Sequence, residues 1–216
     1  MEQRIKGTTG LLALIGSPVG HSGSPAMYNF SFQYHNLDYA YMAFDVKEDQ
    51  VPAALDAMRL FKMRGCNVTM PCKNKAAQCV DELSPAARII GAVNTIVNED
   101  GKLVGHITDG IGFVRNLKEH GVDVKGKKMV VLGAGGAATA LTVQSALDGA
   151  ASIAIFNPDD PFLERAKGTA EKLAKEVPDC KVSVYCLDDQ DKLREEIANA
   201  DILANGTLAG MKPHDD

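Results

Sequence analysis

Short apolar runs bounded by glycine or proline alternate along the chain with longer segments in which apolar residues recur at helical spacing. In the first part of the chain these short runs are typical of buried strands, and they fall at residues 9–15, 39–46 and 66–70. The segment after the second run places Val51, Leu55 and Met58 on one helical face. Strands that alternate with helices in this way form parallel βαβ units, so the pattern predicts an α/β fold.

Two predicted helices begin with a serine followed by proline, a pair that caps a helix and fixes the backbone of its first turn. Ser24-Pro25 predicts a helix to about residue 35, with Ser24 as its N-cap. Ser84-Pro85 predicts a short helix that ends near Gly91. Asp100-Gly101 then separates two further apolar runs, and this dipeptide is typical of the tight turn of a β-hairpin.

The pattern restarts in the second half of the chain. Asp109 is predicted to cap a helix there, and the apolar face of that helix is predicted to comprise Ile111, Val114 and Leu117. Strands follow at residues 129–132, 152–156, 181–186 and 201–204, whereas a complete dinucleotide-binding sheet has about six. We therefore predict an α/β domain at residues 1–110 and a Rossmann-type domain at residues 111–216, the latter incomplete at its C-terminus.

Composition and charge narrow the range of functions. Of the 216 residues, 45% are hydrophobic and 24% are charged, as in an ordinary globular protein. The net charge of -5 offers no basic surface, so we expect no nucleic-acid partner. No apolar segment approaches the roughly 18 residues that span a bilayer, so we expect a cytoplasmic protein without membrane contact. The five cysteines show neither a Cys-x-x-Cys pair nor zinc-ligand spacing, so no metal site is expected.

A glycine-rich segment stands where a strand of the second domain leads into a helix. Its Gly-x-Gly-x-x-Ala spacing lets the backbone turn sharply and approach a pyrophosphate, whose charge is held by amides at the helix start. The other interpretation is a flexible glycine turn. We predict a dinucleotide site that includes Gly133, Ala134, Gly135, Gly136 and Ala137.

Acidic residues follow the second strand of the same domain, in Asn157-Pro158-Asp159-Asp160. An acidic side chain at this place accepts hydrogen bonds from a ribose 2′-hydroxyl and repels a 2′-phosphate. Asp160 is favoured slightly over Asp159 for this role, and capping of the next helix is an equally good explanation. Because no arginine stands here, the sequence favours NAD and leaves NADP open.

Three polar clusters fall in loops that follow strands of the first domain, at residues 21–24, 67–73 and 105–110. Ligands of open α/β sheets bind outside the carboxyl ends of the strands. Ser22 and Ser24, beside a helix start, are suited to a carboxylate ligand. Taken alone, Lys73 is typical of a surface cation and Asp109 of a helix cap. These groups can take part in catalysis only if the fold brings them together in one cleft.

Taken together, these residues resemble the shikimate dehydrogenase family, and within it the quinate/shikimate dehydrogenase branch. The resemblance runs from about residue 9 to the end of the chain. It rests on six motifs in the family's order, which are His21-Ser22-Gly23-Ser24-Pro25, Asn67-Val68-Thr69-Met70-Pro71-Cys72-Lys73, Gly91-Ala92-Val93-Asn94-Thr95, Thr108-Asp109-Gly110, Gly133-Ala134-Gly135-Gly136-Ala137 and Asn205-Gly206-Thr207.

The resemblance implies an oxidoreductase that interconverts shikimate and 3-dehydroshikimate with NAD or NADP, in the biosynthesis of chorismate and the aromatic amino acids. It implies that residues 1–110 bind substrate and residues 111–216 bind the cofactor. Lys73 and Asp109 match the family's catalytic pair. The positions that match the substrate's surroundings are Ser22, Ser24, Tyr41, Thr69, Asn94 and Thr108. Asn157, Asp160 and Thr207 join the glycine turn as cofactor positions.

The chain also departs from the family's pattern. Gly23 stands where leucine is usual, Cys72 where phenylalanine or asparagine is usual, and Ile107 where asparagine is usual. Members of the family continue further, through a helix with a substrate-binding glutamine. We therefore expect residues 1–216 alone to bind substrate weakly and to turn over slowly.

Two alternative functions are weighed against this one. A regulatory or binding protein on the same scaffold would bind ligand without turnover, although the presence of Lys73 and Asp109 argues against it. Another Rossmann dehydrogenase, acting on folates or amino acids, would need a different first domain. The sequence leaves open the choice between shikimate and quinate as substrate, and whether the chain forms a homodimer.

Overall fold

The computed structural model describes residues 5–210. The chain divides into two compact units, Met1–Ile107 and Thr108–Asp216. This division falls close to Asp109, where the sequence predicts the start of a helix. Each unit has its own sheet and its own buried apolar residues.

The first unit is a mixed sheet with four α-helices in its described part. Its strands are β1 (Gly10–Gly16), β2 (Tyr39–Asp45), β3 (Gly65–Val68), β4 (Glu82–Leu83), β5 (Thr95–Glu99) and β6 (Lys102–His106). Its helices are α1 (Ser24–Tyr34), α2 (Val51–Leu60), α3 (Lys73–Cys79) and α4 (Pro85–Ile90). The strand order is β2-β1-β3-β5-β6-β4. β1 pairs in parallel with β2 and β3, whereas β5 runs antiparallel to β3 and β6.

Several local predictions for this unit are confirmed. The helical face predicted after the second strand is buried in α2, where Val51, Leu55 and Met58 are each at most 1% exposed. The predicted hairpin joins β5 to β6, and its turn residues Asp100 and Gly101 adopt positive φ angles of 53° and 99°. Local turn chemistry and helical spacing therefore suffice to find these elements.

Two local predictions for this unit are wrong. Ser24 is not the N-cap of α1, because the helix begins at Ser24 itself and Gly23 occupies the cap position. The third strand ends at Val68 rather than at residue 70, since the Cys72 amide donates to the Thr69 carbonyl at 3.0 Å and turns the backbone. This turn leads into α3, which the apolar pattern does not predict because the helix is short and no side chain caps its start.

The edge strand β2 is covered at its middle by a side chain from α1. The Asn29 Oδ1 accepts from the Tyr41 N–H at 3.0 Å, and the Asn29 Nδ2 donates to the Tyr41 carbonyl at 2.8 Å. Unpaired edge groups offer a template for pairing with another chain. Asn29 therefore pairs with the Tyr41 N–H and carbonyl groups at the edge of the sheet, and these two bonds hold the Tyr41 backbone in place.

The second unit is a parallel sheet with helices between its strands. Its strands are β7 (Lys128–Leu132), β8 (Ser152–Asn157), β9 (Lys181–Cys186) and β10 (Ile202–Asn205). Its helices are α5 (Asp109–Glu119), α6 (Gly136–Leu147), α7 (Pro161–Glu176) and α8 (Gln190–Ala198). The described strands follow the order β10-β7-β8-β9, and all their pairings are parallel. This is the order of the first four strands of a Rossmann sheet, which confirms the predicted fold.

The start of α5 differs from the prediction. Thr108 occupies the cap position and Asp109 is the first helical residue, so Asp109 is not the N-cap. Gly110 is buried, and a Cβ added there would overlap the Ala140 carbonyl oxygen of α6. α5 approaches α6 through this glycine, and Ile111, on the predicted apolar face, is 48% exposed.

The cysteines and the helices bear on metal binding and on membrane insertion. All five cysteines are free thiols. In the part of the chain that the structure describes, no three histidine, cysteine or acidic side chains group as metal ligands would. Over the same residues, every helix is too short or too polar to serve as a bilayer span.

Candidate functional site

A pocket of about 450 Å³ lies at the carboxyl ends of β1 and β3. The loop after β1 and the residues after β3 line it, and three of the predicted substrate residues, Ser22, Ser24 and Thr69, are among them. A larger pocket of about 700 Å³, lined in part by Arg59 and Arg64, contains none of the predicted residues. The structure therefore brings together the serine motif and the threonine of the second motif, as expected for ligand sites of open α/β sheets.

The two serines of this pocket present their hydroxyls differently. The Ser22 Oγ accepts a hydrogen bond from the Ser24 N–H at 3.2 Å, which stabilises the turn before α1. The Ser24 hydroxyl has no hydrogen-bond partner within residues 5–210. No side chain caps α1, which is 11 residues long. Its N-terminus and the serine hydroxyls therefore favour an anionic group in the pocket.

Four polar side chains are connected by hydrogen bonds on the same sheet. The Tyr41 hydroxyl donates to the Asn67 Oδ1 at 2.8 Å, and the Asn67 Nδ2 donates to the Thr95 Oγ1 at 3.2 Å. The Thr95 hydroxyl donates in turn to the Asn94 Oδ1 at 3.1 Å. Asn67 pairs with Thr95 in the β3–β5 register and with Leu14, a pocket residue, in the β1–β3 register. Two predicted residues, Tyr41 and Asn94, are thus linked through two residues to which the sequence analysis gave no role.

The two additional residues, Asn67 and Thr95, stand inside motifs that the sequence analysis quoted. Asn67 stands two residues before Thr69 in the same quoted motif, which is the signal that the sequence contained for it. Thr95 gave no such signal, because its place beside Asn67 depends on strand register. Tyr41 is only 3% exposed, and this burial raises the pKa of its hydroxyl, which keeps the phenol protonated.

Lys73 is the first residue of α3 and is half-buried. Its carbonyl accepts from the Val93 N–H at 3.1 Å, which ties the start of α3 to the segment before β5. The neighbouring Cys72 is fully buried, and its thiol donates to the Val46 carbonyl at 3.1 Å. Burial raises the pKa of this thiol, so it acts as a packing group. Within residues 5–107 the Lys73 ammonium makes no ion pair, and a ligand could therefore engage it.

In the second unit, the glycine turn joins β7 to α6. Gly133 adopts a φ of 95°, and a Cβ added there would lie 3.0 Å from the Thr207 Cγ2. Gly135 and Gly136 have open space where a side chain would stand, and no side chain caps α6. A pyrophosphate therefore has room to approach the amides of the first turn, so these residues fit a dinucleotide. Of the two predicted alanines beside them, Ala134 is buried and Ala137 exposed.

The predicted ribose-binding residues hold the start of α7. The Asp160 Oδ1 accepts from the Phe162 and Leu163 amides at 2.8 and 3.3 Å, and from the Asn157 Nδ2 at 2.8 Å. Asp160 is thus the N-cap of α7. Because Oδ1 makes these three bonds, a hydrogen bond from ribose would be accepted by Oδ2. Asn157 is 5% exposed and supports this cap.

Thr207 belongs to the turn after β10. Its hydroxyl donates to the Asn205 Oδ1 at 2.6 Å and accepts from the Ala209 amide at 3.1 Å. These bonds fix the turn so that the Thr207 methyl group lies next to Gly133. The other predicted residues of this unit, Thr108 and Asp109, lie at the start of α5.

The fold and these sites define a class of protein. A parallel sheet in Rossmann order with a glycine turn after its first strand is typical of nicotinamide-dependent dehydrogenases. The other unit supplies a separate α/β domain with a serine-lined pocket. The chain is thus built like a two-domain, dinucleotide-dependent dehydrogenase.

Comparison with known proteins identifies the family. Residues 14–96 match the family model described as the shikimate dehydrogenase substrate binding domain. A shikimate dehydrogenase (NADP(+)) of Listeria monocytogenes is 48% identical over 211 residues, which cover 98% of this chain and 72% of the relative. A quinate/shikimate dehydrogenase of Escherichia coli is 49% identical over 203 residues, covering 94% of this chain and 70% of the relative. The chain belongs to the shikimate dehydrogenase family.

Solved structures agree with this assignment. The crystal structure of shikimate 5-dehydrogenase from Listeria monocytogenes, in complex with shikimate and NAD, matches with a TM-score of 0.94 at 48% identity. That match covers 99% of this chain and 73% of the other. A quinate dehydrogenase from Corynebacterium glutamicum, in complex with NAD, matches with a TM-score of 0.80 at 29% identity. Relatives with this fold thus include proteins solved with NAD, and the resemblance inferred from the motifs is confirmed.

Proposed function

We propose that this chain catalyses the reversible oxidation of shikimate to 3-dehydroshikimate with a nicotinamide cofactor. The observation that supports this most directly is the meeting of Ser22, Ser24 and Thr69 in one pocket of the unit that matches the substrate-binding domain of the family. Relatives named shikimate dehydrogenase, at 48% identity, support the same substrate.

The substrate carboxylate binds at the start of α1 in this proposal. The Ser24 hydroxyl and the Ser22 hydroxyl donate to it, and the helix N-terminus adds a favourable field. The ring hydroxyls are assigned to Thr69, Asn94 and Thr108. These roles are the ones that the family resemblance implies.

Lys73 handles the proton in this proposal. During oxidation the hydroxyl proton of shikimate passes to the Lys73 Nζ, which must first have released its own proton. During reduction the Lys73 ammonium returns a proton to the ketone oxygen. Asp109 is assigned as the second member of the pair, which orients the lysine or relays its proton.

The glycine turn and its surroundings hold the cofactor in this proposal. Gly133, Gly135 and Gly136 give the backbone room at the start of α6, and Ala134 and Ala137 flank them. A nicotinamide cofactor held there would supply the hydride-accepting chemistry that oxidation of the carbinol carbon requires. Asn157, Asp160 and Thr207 shape the remaining walls of the site through the hydrogen bonds they make within their own turns.

NAD is the proposed cofactor. The Asp160 carboxylate lies at the start of α7, where its charge would repel a 2′-phosphate, and no arginine stands between Asn157 and Asp160. A shikimate 5-dehydrogenase at 48% identity was solved with NAD, which supports this proposal, whereas the name of a shikimate dehydrogenase at the same identity specifies NADP(+).

A panel of two substrates and two cofactors tests this proposal. The chain is incubated with shikimate or quinate and with NAD⁺ or NADP⁺, and absorbance of the reduced nicotinamide is followed over long times. We expect the fastest reduction with shikimate and NAD⁺. Calorimetric binding of shikimate without any reduced cofactor would instead favour a regulatory protein on the same scaffold, and absence of both would contradict a role with shikimate.

A further inference from the structure

Two buried hydroxyl groups of α6 have no hydrogen-bond partner among residues 5–210. They are the Thr142 Oγ1 and the Ser145 Oγ, and their residues are 1% and 0% exposed. Most buried polar side chains in folded proteins have a partner, because an unsatisfied hydroxyl costs free energy. The surroundings of each hydroxyl must therefore be compared.

Thr142 differs from Ser145 because it lines a small cavity. The cavity has a volume of about 10 Å³, which is close to the space that one water molecule needs. Its walls come from the glycine turn, α6, β8 and α7, and Gly133 and Ala134 are the residues of the turn among them. Ser145 is not one of the lining residues. A water molecule in this cavity would thus be a neighbour of Thr142.

Two further threonines line the cavity, and the hydroxyl of each can accept a hydrogen bond. The Thr139 hydroxyl donates to the Ala134 carbonyl at 3.4 Å. The Thr169 hydroxyl donates to the Arg165 carbonyl at 3.0 Å. Since each hydroxyl has only one proton, lone pairs are what these two can offer to a water molecule. A water molecule can therefore accept from Thr142 and donate to Thr139 and Thr169, and about three hydrogen bonds are typical of buried waters.

We propose that this cavity binds one water molecule, which accepts a hydrogen bond from Thr142 and links α6 to α7 beside the glycine turn. Gly133 and Ala134 belong both to the turn and to the cavity wall, so the bound water holds the turn in one conformation. Thr142 is then a positioning residue for the dinucleotide, and this part of the inference rests on the proposed function. A loop that is ordered before its ligand arrives lowers the conformational cost of binding.

Thr142→Val and Ser145→Ala form a matched pair of variants from the same helix. Valine has the shape and nearly the helix propensity of threonine, so Thr142→Val removes only the hydroxyl. If that hydroxyl binds water, its loss lowers the urea midpoint of unfolding, whereas replacing a hydroxyl without a partner leaves the midpoint unchanged or raises it. We expect a lower midpoint for Thr142→Val. For Ser145→Ala we expect an unchanged or higher one, because no bound water is lost and alanine favours the helix.

High-resolution crystal structures and calorimetry with NAD⁺ complete the test. We expect a water molecule within hydrogen-bond distance of the Thr142 Oγ1 in the unaltered chain and in Ser145→Ala, and no water at this place in Thr142→Val. We expect Thr142→Val to raise the Kd for NAD⁺ about two- to fivefold, because part of the ordering of the glycine turn must then be achieved on binding. Ser145→Ala is expected to bind NAD⁺ like the unaltered chain.

Two results would overturn the water site. One is a urea midpoint for Thr142→Val that equals or exceeds that of the unaltered chain. The other is a crystal structure of the unaltered chain without a water at Thr142, which decides the matter even if a variant does not fold. Loss of the water without a change in the Kd for NAD⁺ would contradict the positioning role. If the unaltered chain does not bind NAD⁺, the proposed cofactor is wrong, and the midpoints and crystal structures still decide whether water is bound.

Discussion

Two serines with the same local sequence have different roles in this molecule. Ser84 precedes Pro85, adopts an extended backbone, and its hydroxyl accepts from the Ala87 amide at 3.4 Å as an N-cap. Ser24 precedes Pro25 in the same way, but it is the first helical residue of α1 and lines the pocket. Capping depends on the backbone angles of the preceding turn, and these are set by contacts that a two-residue pattern does not include.

Alanine variants of the two serines are therefore expected to affect different properties, substrate binding for one and stability for the other. Ser24→Ala is expected to raise the KM for shikimate about 10- to 100-fold and to leave stability and kcat nearly unchanged, because a hydrogen bond to a charged group is lost equally in ground and transition states. Ser84→Ala is expected to cost about 1 kcal/mol of stability without a change in KM. Steady-state kinetics and urea unfolding of both variants check this. A fall in kcat at constant KM for Ser24→Ala would contradict the assigned role.

At the scale of elements, the sequence predicts best what local chemistry determines. The hairpin at Asp100-Gly101 and the glycine turn at Gly133 follow from residues that favour positive φ angles. The short helix α3 and the two-residue strand β4 were not predicted, because α3 has no cap signal and β4 exists only through its pairing with β6. The roles of Thr95 and Asn29 likewise depend on pairing between distant segments, which periodicity does not fix.

Asp81 joins helix α2 to strand β6 in the first unit and makes the stability of the fold depend on pH. Its carboxylate accepts from the Leu103 amide at 2.7 Å and from the Arg59 guanidinium at 2.9 Å. These bonds, chiefly the one from the backbone amide, hold the pKa of Asp81 below its usual range. Because the folded state has the lower pKa, the stabilisation is present above the unfolded pKa of about 3.9 and is lost as pH falls through the folded value.

We therefore expect Asp81→Asn to lower the urea midpoint most at neutral pH, with the difference from the unaltered chain shrinking below about pH 4. Asp56→Asn is the control, because Asp56 also pairs with Arg59 but its side chain is 80% exposed, and such pairs contribute little. Urea unfolding from neutral to acidic pH measures both. A difference for Asp81→Asn that stays constant across this range would show that its ionisation does not stabilise the fold.

At the scale of the whole molecule, the chain combines two units with separate tasks. The first unit holds the serine pocket, the hydrogen-bonded side chains from Tyr41 to Asn94, and Lys73, whereas the second holds the glycine turn and Asp109. The six motifs sufficed to identify the family from sequence, since each contains residues whose chemistry is needed at a strand end. The sequence left open whether Asp160 caps a helix or binds ribose, because capping and ribose binding require the same residue type. A homodimer stays a prediction.

In the proposed reaction, Lys73 transfers the proton of the shikimate hydroxyl. Single-turnover reduction of the cofactor, measured with Lys73→Met and with Lys75→Met as a control from the same helix, tests it most directly. We predict that Lys73→Met slows turnover about 10²- to 10⁴-fold while its urea midpoint and shikimate affinity change little, and that Lys75→Met behaves like the unaltered chain. A loss below about tenfold for Lys73→Met, or an equal loss for Lys75→Met, would contradict the account.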